Sequence, residues 1–276
     1  MVIRIALIQL RVFESKEKTL HNAVDLIRIA KKEKEANVVV LPESFNCPYS
    51  RKKLEMSAEE IPFGETCQAL SKAARDFGVH IVGGSIVESC CGQMYSTCTV
   101  WGPEGELVVK HRKVHLCDAN IPGKLTVEES KLFSPGQSYT TFYVGETKIG
   151  LGICWDVRFP EFTAAYRQLG CDLLICPAVC DVYTGEMHYE LLAKARALDN
   201  QMFVALCSPA RDPHAELVAY GHSIVVDPWG KVLQKGTEFQ EIITADLILK
   251  TLPEAREQIP VLKQKRSDMY ELVVKK

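Results

Sequence analysis

The chain has 276 residues, 47% hydrophobic and 25% charged, with 33 Lys and Arg against 35 Asp and Glu for a formal net charge of −2. That length supports a large core, and the near balance of charge gives no pull toward polyanions, so nucleic acid is excluded as a partner. Eleven cysteines, an odd number in a long chain without a secretory leader, read as free thiols rather than a disulfide framework.

The first apolar run, 2–10, alternates like a strand and carries Arg4 and Gln9 where a signal peptide needs an unbroken apolar stretch. Every later apolar run is interrupted by Lys, Glu, Asp or Arg, so no membrane span is expected and the chain reads as cytoplasmic; import into mitochondria as well is compatible with it. A strand over 3–10, a helix over about 18–34 and the run Val38-Val39-Val40-Leu41, ending at Pro42-Glu43, give a β-α-β opening. A helix over 65–77 and a strand over 79–85 repeat the pattern, and strands over 97–101 and 106–110 flank the turn Gly102-Pro103-Glu104-Gly105 as a hairpin. The stretch 117–136, with Pro122, Gly123, Pro135 and Gly136, reads as a long irregular loop of the kind that lines a site. A buried strand over 148–153 then leads to a helix over 159–169, a strand over 171–177, a helix over about 186–199 and a strand over 202–206. A second hairpin falls within 225–233, and the tail 262–276 has no core partner of its own. The alternation defines a mixed α/β fold without a linker.

Three strand exits carry chemistry. Glu43 follows a proline that cannot continue the sheet ladder, Lys113 follows the first hairpin, and Cys154 sits on the turn between a buried strand and a helix. Ligands of α/β sheets gather at such exits. A carboxylate, an ammonium and a thiol together suit hydrolysis of a C–N bond. Glu43 would take the thiol proton and later activate water, Cys154 would form a thioester, and Lys113 would stabilise the oxyanion with backbone N–H groups. A thiol near the positive end of the following helix is expected to favour the thiolate.

In order and context, these three segments resemble the carbon-nitrogen hydrolase, or nitrilase, superfamily with its Glu-Lys-Cys triad. The match extends from the first strand through Asn200, His222 and Pro228-Trp229-Gly230. Within that superfamily the segments 41–49 (Leu41-Pro42-Glu43-Ser44-Phe45-Asn46-Cys47-Pro48-Tyr49) and 259–270 resemble the omega-amidases, which hydrolyse the terminal amide of 2-oxoglutaramate and 2-oxosuccinamate to a 2-oxo dicarboxylate and ammonia. The resemblance implies an αββα sandwich in a single domain over 1–276, with 262–276 docking on this subunit or another. It also implies a homodimer, a small amide and water as the reactants, and no metal or organic cofactor. It further places a second glutamate, Glu129, beside the lysine, with Glu128 facing solvent.

For the carboxylate of such a substrate, Arg158, four residues beyond the nucleophile, is a bidentate candidate and Tyr49 a second one; a structural ion pair of Arg158 with Glu161 or Asp156 is the competing reading. Cys98, Cys171, Cys176 and Cys207 read as core residues, while Cys180 is a candidate second reactive thiol. His111 and His115 lack the glutamate of the zinc hydrolase pattern, so no metal is assigned to them. The chain departs from the superfamily pattern at Trp155 (usually Tyr), Tyr189 (usually Trp) and Val179-Cys180 (Phe-Asn in omega-amidases), which leaves the acyl preference open. The alternatives are another small-amide or N-carbamoyl amidohydrolase, a papain-like pair using His188 or His222, and an inactive interaction protein.

Overall fold

In the computed structural model, which describes residues 2–275, β1 (Val2–Gln9) leads through α1 (Lys16–Lys32) to β2 (Val38–Val40), then through α2 (Arg51–Met56) and α3 (Glu65–Phe77) to β3 (His80–Val82). The strands β4 (Ile86–Cys90), β5 (Gln93–Trp101) and β6 (Leu107–Arg112) extend this sheet by antiparallel pairing, and β7 (Asp118–Ile121) and β8 (Leu125–Glu128) form a separate hairpin. A second sheet takes β9 (Thr141–Val144), β10 (Thr147–Leu151), β11 (Leu173–Pro177), β12 (Phe203–Cys207), β13 (Ile224–Val226) and β14 (Val232–Lys235). The helix α4 (Pro160–Gln168) connects β10 to β11 and α5 (Val182–Asn200) connects β11 to β12. Finally β15 (Glu241–Ile248) returns to pair antiparallel along all of β1, from Val2↔Ile248 to Gln9↔Glu241, and α6 (Thr251–Gln258) follows. The sheet orders are β15-β1-β2-β3-β5-β4, with β6 also on β5, and β14-β13-β12-β11-β10-β9.

The period of two along each strand explains how these parts stack. Ile3, Ile5 and Leu7 of β1 and Val38 and Val40 of β2 pack against Ile149, Leu151, Leu173, Ile175 and Phe203 of the other sheet. Their neighbours Ala6, Ile8 and Val39 face the other way, onto Leu20, Ala23 and Ile27 of α1 and Leu70 and Ala73 of α3. In the second sheet Leu174, Cys176, Val204 and Leu206 face Phe162 and Tyr166 of α4 and Tyr189, Ala193 and Ala197 of α5. Both faces of both sheets are therefore covered, which is why the strands read as continuous apolar runs. The result is the expected αββα sandwich.

Several elements differ from the sequence reading. The stretch 117–136 is not a bare loop, since β7 and β8 pair across a turn at Pro122-Gly123, with Gly123 at φ 69°, and a 3-10 turn follows at Glu129–Lys131. The helix expected to start near 186 starts at Val182, because the Asp181 side chain accepts the Thr184 N–H at 3.0 Å and caps it. The tail crosses the surface along α4 of the same chain, where Gln168 Nε2 donates to the Leu272 carbonyl at 3.0 Å. Among the described residues no helix is long and apolar enough to cross a membrane.

Gln9, at the end of β1, ties the two sheets together at the site end of the sandwich. It is fully buried; its Nε2 donates to the carbonyls of Thr237 (2.7 Å) and Phe239 (2.6 Å), and its Oε1 accepts from Ser223 N and Oγ, both at 2.9 Å. Gln9→Leu keeps the volume but leaves the buried Ser223 N–H without its acceptor and takes a donor from the Thr237 and Phe239 carbonyls, and is expected to cost about 2 kcal/mol in urea unfolding. A loss below about 1 kcal/mol would show that these groups find other partners.

Candidate active site

Each exit is shaped by its local sequence. Pro42 ends the ladder of β2, and its carbonyl accepts from Ser85 N at 3.2 Å. Gly84, at φ 61°, permits this approach: a Cβ there would lie 2.1 Å from the Pro42 oxygen. Ser44, itself at φ 48°, donates its N–H to Ser85 Oγ at 3.2 Å and so fixes the direction of Glu43. After β6, Lys113 is clamped through its backbone, with N–H to Ser96 O at 2.8 Å and C=O from Gly136 N at 2.7 Å. Ser96 Oγ donates to Ser85 Oγ at 3.1 Å, which joins the two exits. After β10, Cys154 adopts φ 43° and opens a 3-10 turn, Cys154–Arg158. A non-glycine residue held in the left-handed region is strained and is maintained by its surroundings.

The side chains converge. Lys113 Nζ lies 2.8 Å from Glu43 Oε1 and 2.8 Å from Glu129 Oε1, with Lys113 and Glu43 each 1% exposed and Glu129 4%. The second oxygen of Glu43 accepts the Val179 N–H at 2.9 Å, and the second oxygen of Glu129 accepts the Cys117 N–H at 2.6 Å. The Cys154 thiol donates to the Val179 carbonyl at 3.6 Å, so one peptide segment touches both nucleophile and carboxylate. Burial pushes the Glu43 carboxyl above its ordinary range, opposed by Lys113 and reinforced by Glu129. Burial opposes the Lys113 ammonium, but Glu129 and Glu43 outweigh it and hold its pKa well above normal. The cluster thus keeps its cation and contains a carboxylate more basic than usual, as a general base at neutral pH requires.

The surroundings of Cys154 do not favour the thiolate expected there. Burial and the Glu43 charge push its thiol well above 9, with only Lys113 pulling the other way. No helix end offsets this: the next residues form a short 3-10 turn, and α4 begins only at Pro160. The thiol must therefore be deprotonated during reaction, by a neighbouring base.

Of the other candidates, Glu129 joins the cluster, whereas Glu128 is exposed and pairs with Lys131. Tyr49 was expected near Glu43 as a substrate ligand; instead its hydroxyl donates to Glu129 Oε1 at 2.5 Å, so it positions that glutamate. Arg158 forms neither ion pair considered for it. Its guanidinium lies 4.4 Å over the Trp155 ring and 3.3 Å from His188 Nδ1, and among the described residues no carboxylate comes within 4.0 Å of it. His188 faces Arg158 and His222 faces the Gly236 carbonyl, so neither is hydrogen-bonded to Cys154. Among the described residues no group of three or more His, Cys, Asp or Glu is arranged to hold a metal ion.

Asp156, His115 and Val179 stand out in the sequence in other connections and not in the roles they take here: Asp156 bound to His115, and the Val179 backbone between nucleophile and carboxylate. Asp156 is buried, and its oxygens accept His115 N (2.8 Å), His115 Nδ1 (2.7 Å) and Ile153 N (2.8 Å), with His111 Nε2 at 3.8 Å. It joins the segment after Lys113 to the turn that carries Cys154. The i, i+4 pair His111 and His115 was the available signal, read then only against a metal.

A cavity of about 610 Å3 opens onto Glu43, Tyr49 and Val179. Beyond it a pocket of about 40 Å3 is lined by Lys113, Glu129, Cys154, Arg158, Cys180 and Tyr189, with apolar walls from Leu125, Val127 and Leu217. Trp155, Val179, Cys180 and Tyr189, the positions where the chain departs from the superfamily pattern, all line this small pocket.

An αββα sandwich with a buried Glu-Lys pair beside a strained cysteine defines a hydrolase of the nitrilase class, and the carbon-nitrogen hydrolase family model matches residues 4–257. The chain belongs to that family. It is 51% identical over 273 residues to omega-amidase NIT2 of Mus musculus, covering 99% of this chain and 98% of that one, and 48% identical to omega-amidase NIT2 of Homo sapiens with the same coverage. Among solved structures it resembles Saccharomyces cerevisiae Nit3, a member of branch 10 of the nitrilase superfamily, at 38% identity and a TM-score of 0.88 over 96% of this chain and 97% of that chain. It resembles the C. elegans NitFhit protein at 29% identity and a TM-score of 0.90 over 100% of this chain and 68% of that chain. The protein is accordingly a hydrolase of amide C–N bonds and groups with the omega-amidases.

Asp156 supplies a pH signature. Burial raises its carboxyl, but the His111 and His115 contacts and the Ile153 N–H prevail and hold its pKa at about 2. Because this lies below the unfolded value, its contribution is complete above about pH 4 and is lost as pH falls toward 2. The parent is expected to lose about 2 kcal/mol more than Asp156→Asn over that interval, read from urea unfolding at each pH. Identical acid limbs for the two proteins would remove Asp156 from this role.

Proposed function

We propose that the protein hydrolyses the terminal amide of 2-oxoglutaramate and 2-oxosuccinamate to the 2-oxo dicarboxylate and ammonia. Glu43 takes the Cys154 proton as sulfur attacks the amide carbon, and the tetrahedral oxyanion is held by Lys113 Nζ. The backbone N–H of Trp155 is a second donor; among the described residues it has no acceptor. Glu43 then passes the proton to the leaving nitrogen. Ammonia departs, leaving a thioester, and Glu43 removes a proton from water as that water attacks. The returning thiol regains its proton, and the acid is released. The observation that carries this reading is the meeting of Glu43, Lys113 and Cys154, two of them joined through the Val179 peptide. The names of the mouse and human relatives support the choice of substrate.

The test is ammonia release from 2-oxoglutaramate, 2-oxosuccinamate, glutamine, asparagine and a ureido acid. Release is expected from the first two, with Cys154→Ala slower by at least about 10³-fold. Release from none of the five would favour a binding role, and a variant as active as the parent would end the mechanism.

Arg158 is assigned to the substrate carboxylate. A guanidinium at the rim of the pocket, stacked on Trp155 and without an acidic partner, is free to accept a carboxylate through two hydrogen bonds. Arg158→Ala is expected to raise KM for 2-oxoglutaramate by about 30-fold or more, with a far smaller change for butyramide, which has no carboxylate. An equal rise for both amides would reject the assignment.

A further inference from the structure

One residue lining the small pocket beside Cys154 carries a buried polar atom that the mechanism leaves unused. Tyr189, on α5, is 4% exposed, and its hydroxyl has no hydrogen-bond partner. Among the described residues lining this pocket it is the one buried side-chain polar atom left in that state. A buried hydroxyl without a partner is costly, and one carried by a residue that lines a pocket beside the nucleophile can be completed by a ligand. Its ring is held by packing: it belongs to the cluster of Tyr166, Ala193, Ala197, Val204 and Leu206, and it meets Tyr220 edge-on at 5.9 Å between centroids. The phenol stays neutral, since burial drives its ionisation well above the ordinary range. Its proton is therefore available for donation.

The surroundings indicate which part of a substrate would meet it. Glu43 faces the wide cavity, through which water and the leaving amine can pass, but does not line the small pocket; Cys154, Arg158 and Tyr189 do. The residue before Tyr189, His188, touches the Arg158 guanidinium at 3.3 Å. The helix that carries Tyr189 thus also supports the cation, and the other polar side chain of that wall, Thr184, already hydrogen-bonds to Asp181. We infer that the Tyr189 hydroxyl is a specificity-determining group that donates a hydrogen bond to the oxygen-bearing end of the acyl group, next to Arg158. The acyl pocket then selects amides whose far end carries acceptor oxygens over plain aliphatic amides, because an aliphatic chain leaves the hydroxyl buried and unpaired while an acceptor completes it.

This rests on the amidase reading above. The test compares kcat/KM for 2-oxoglutaramate and butyramide in the parent and in Tyr189→Phe, which removes only the oxygen, together with Tm of each protein without substrate. The ratio of the two kcat/KM values is expected to fall about tenfold in the variant, while Tm holds or rises because no protein hydrogen bond is lost. An unchanged ratio with an unchanged Tm overturns the inference and leaves the amidase reading intact. An unchanged ratio with a lowered Tm also overturns it, by giving the hydroxyl a structural partner. A parent that cleaves butyramide but not 2-oxoglutaramate overturns both readings.

Discussion

The structure around the site depends on one buried cation. Lys113 is enclosed between Glu43 and Glu129, and taking three charges out of water costs several kcal/mol for each ion unless their partners are placed well. Here almost every remaining hydrogen-bonding position is filled: Val179 N–H and Cys117 N–H complete the two carboxylates, and Tyr49 adds a third donor to Glu129. The backbone clamps on Lys113, the Ser85–Ser96 link and the glycine at 84 all serve to bring these groups to one point. Removing Lys113 would leave two carboxylates facing each other in a medium that punishes this by roughly 3–5 kcal/mol. Burial, reinforced by the nearby Glu129, makes Glu43 a better proton acceptor than an exposed glutamate despite Lys113.

Catalysis and recognition are divided between two spaces. Glu43 opens on the wide side, and Cys154 with Arg158 on the narrow side, with Tyr49 and Val179 lining both. With the base on the wide side and the nucleophile on the narrow side, water and ammonia have one space and the acyl group the other. Trp155, Val179, Cys180 and Tyr189, which the sequence reading set apart from the pattern it resembles, gather in the narrow compartment.

Much of this was legible in the sequence, for physical reasons. Runs such as Val38-Val39-Val40 and Leu173–Pro177 stand out because both of their faces are covered, and α3 was placed at its observed bounds by its amphipathic spacing. β15 was not seen: it is an antiparallel strand with alternating exposure, and it pairs with residues more than 200 positions earlier. Glu43, Lys113 and Cys154 were found because side chains at strand exits can be read one by one, and Glu129 because the superfamily resemblance pointed to it. Val179 was not found in its role, since it acts through a peptide group that every residue possesses. Asp156 was missed because its partners come from Lys113's neighbours, 41 or more residues away, and its own flanks say nothing of them. The thiolate expectation failed on burial, with no helix end to offset it: five residues separate Cys154 from Pro160, where α4 begins.

Cys154 also shows a conflict between durability and reactivity. Its φ of 43° is a conformation that L-residues adopt at a cost of about 1–3 kcal/mol, and glycine adopts without penalty. The sequence best suited to that turn is therefore an inert one, and random substitution at this position has a downhill route, in stability, toward loss of the nucleophile. Asp156, tied to His115 and Ile153, holds the turn against relaxation. Selection for a sturdier protein and selection for a working one diverge at a single backbone angle.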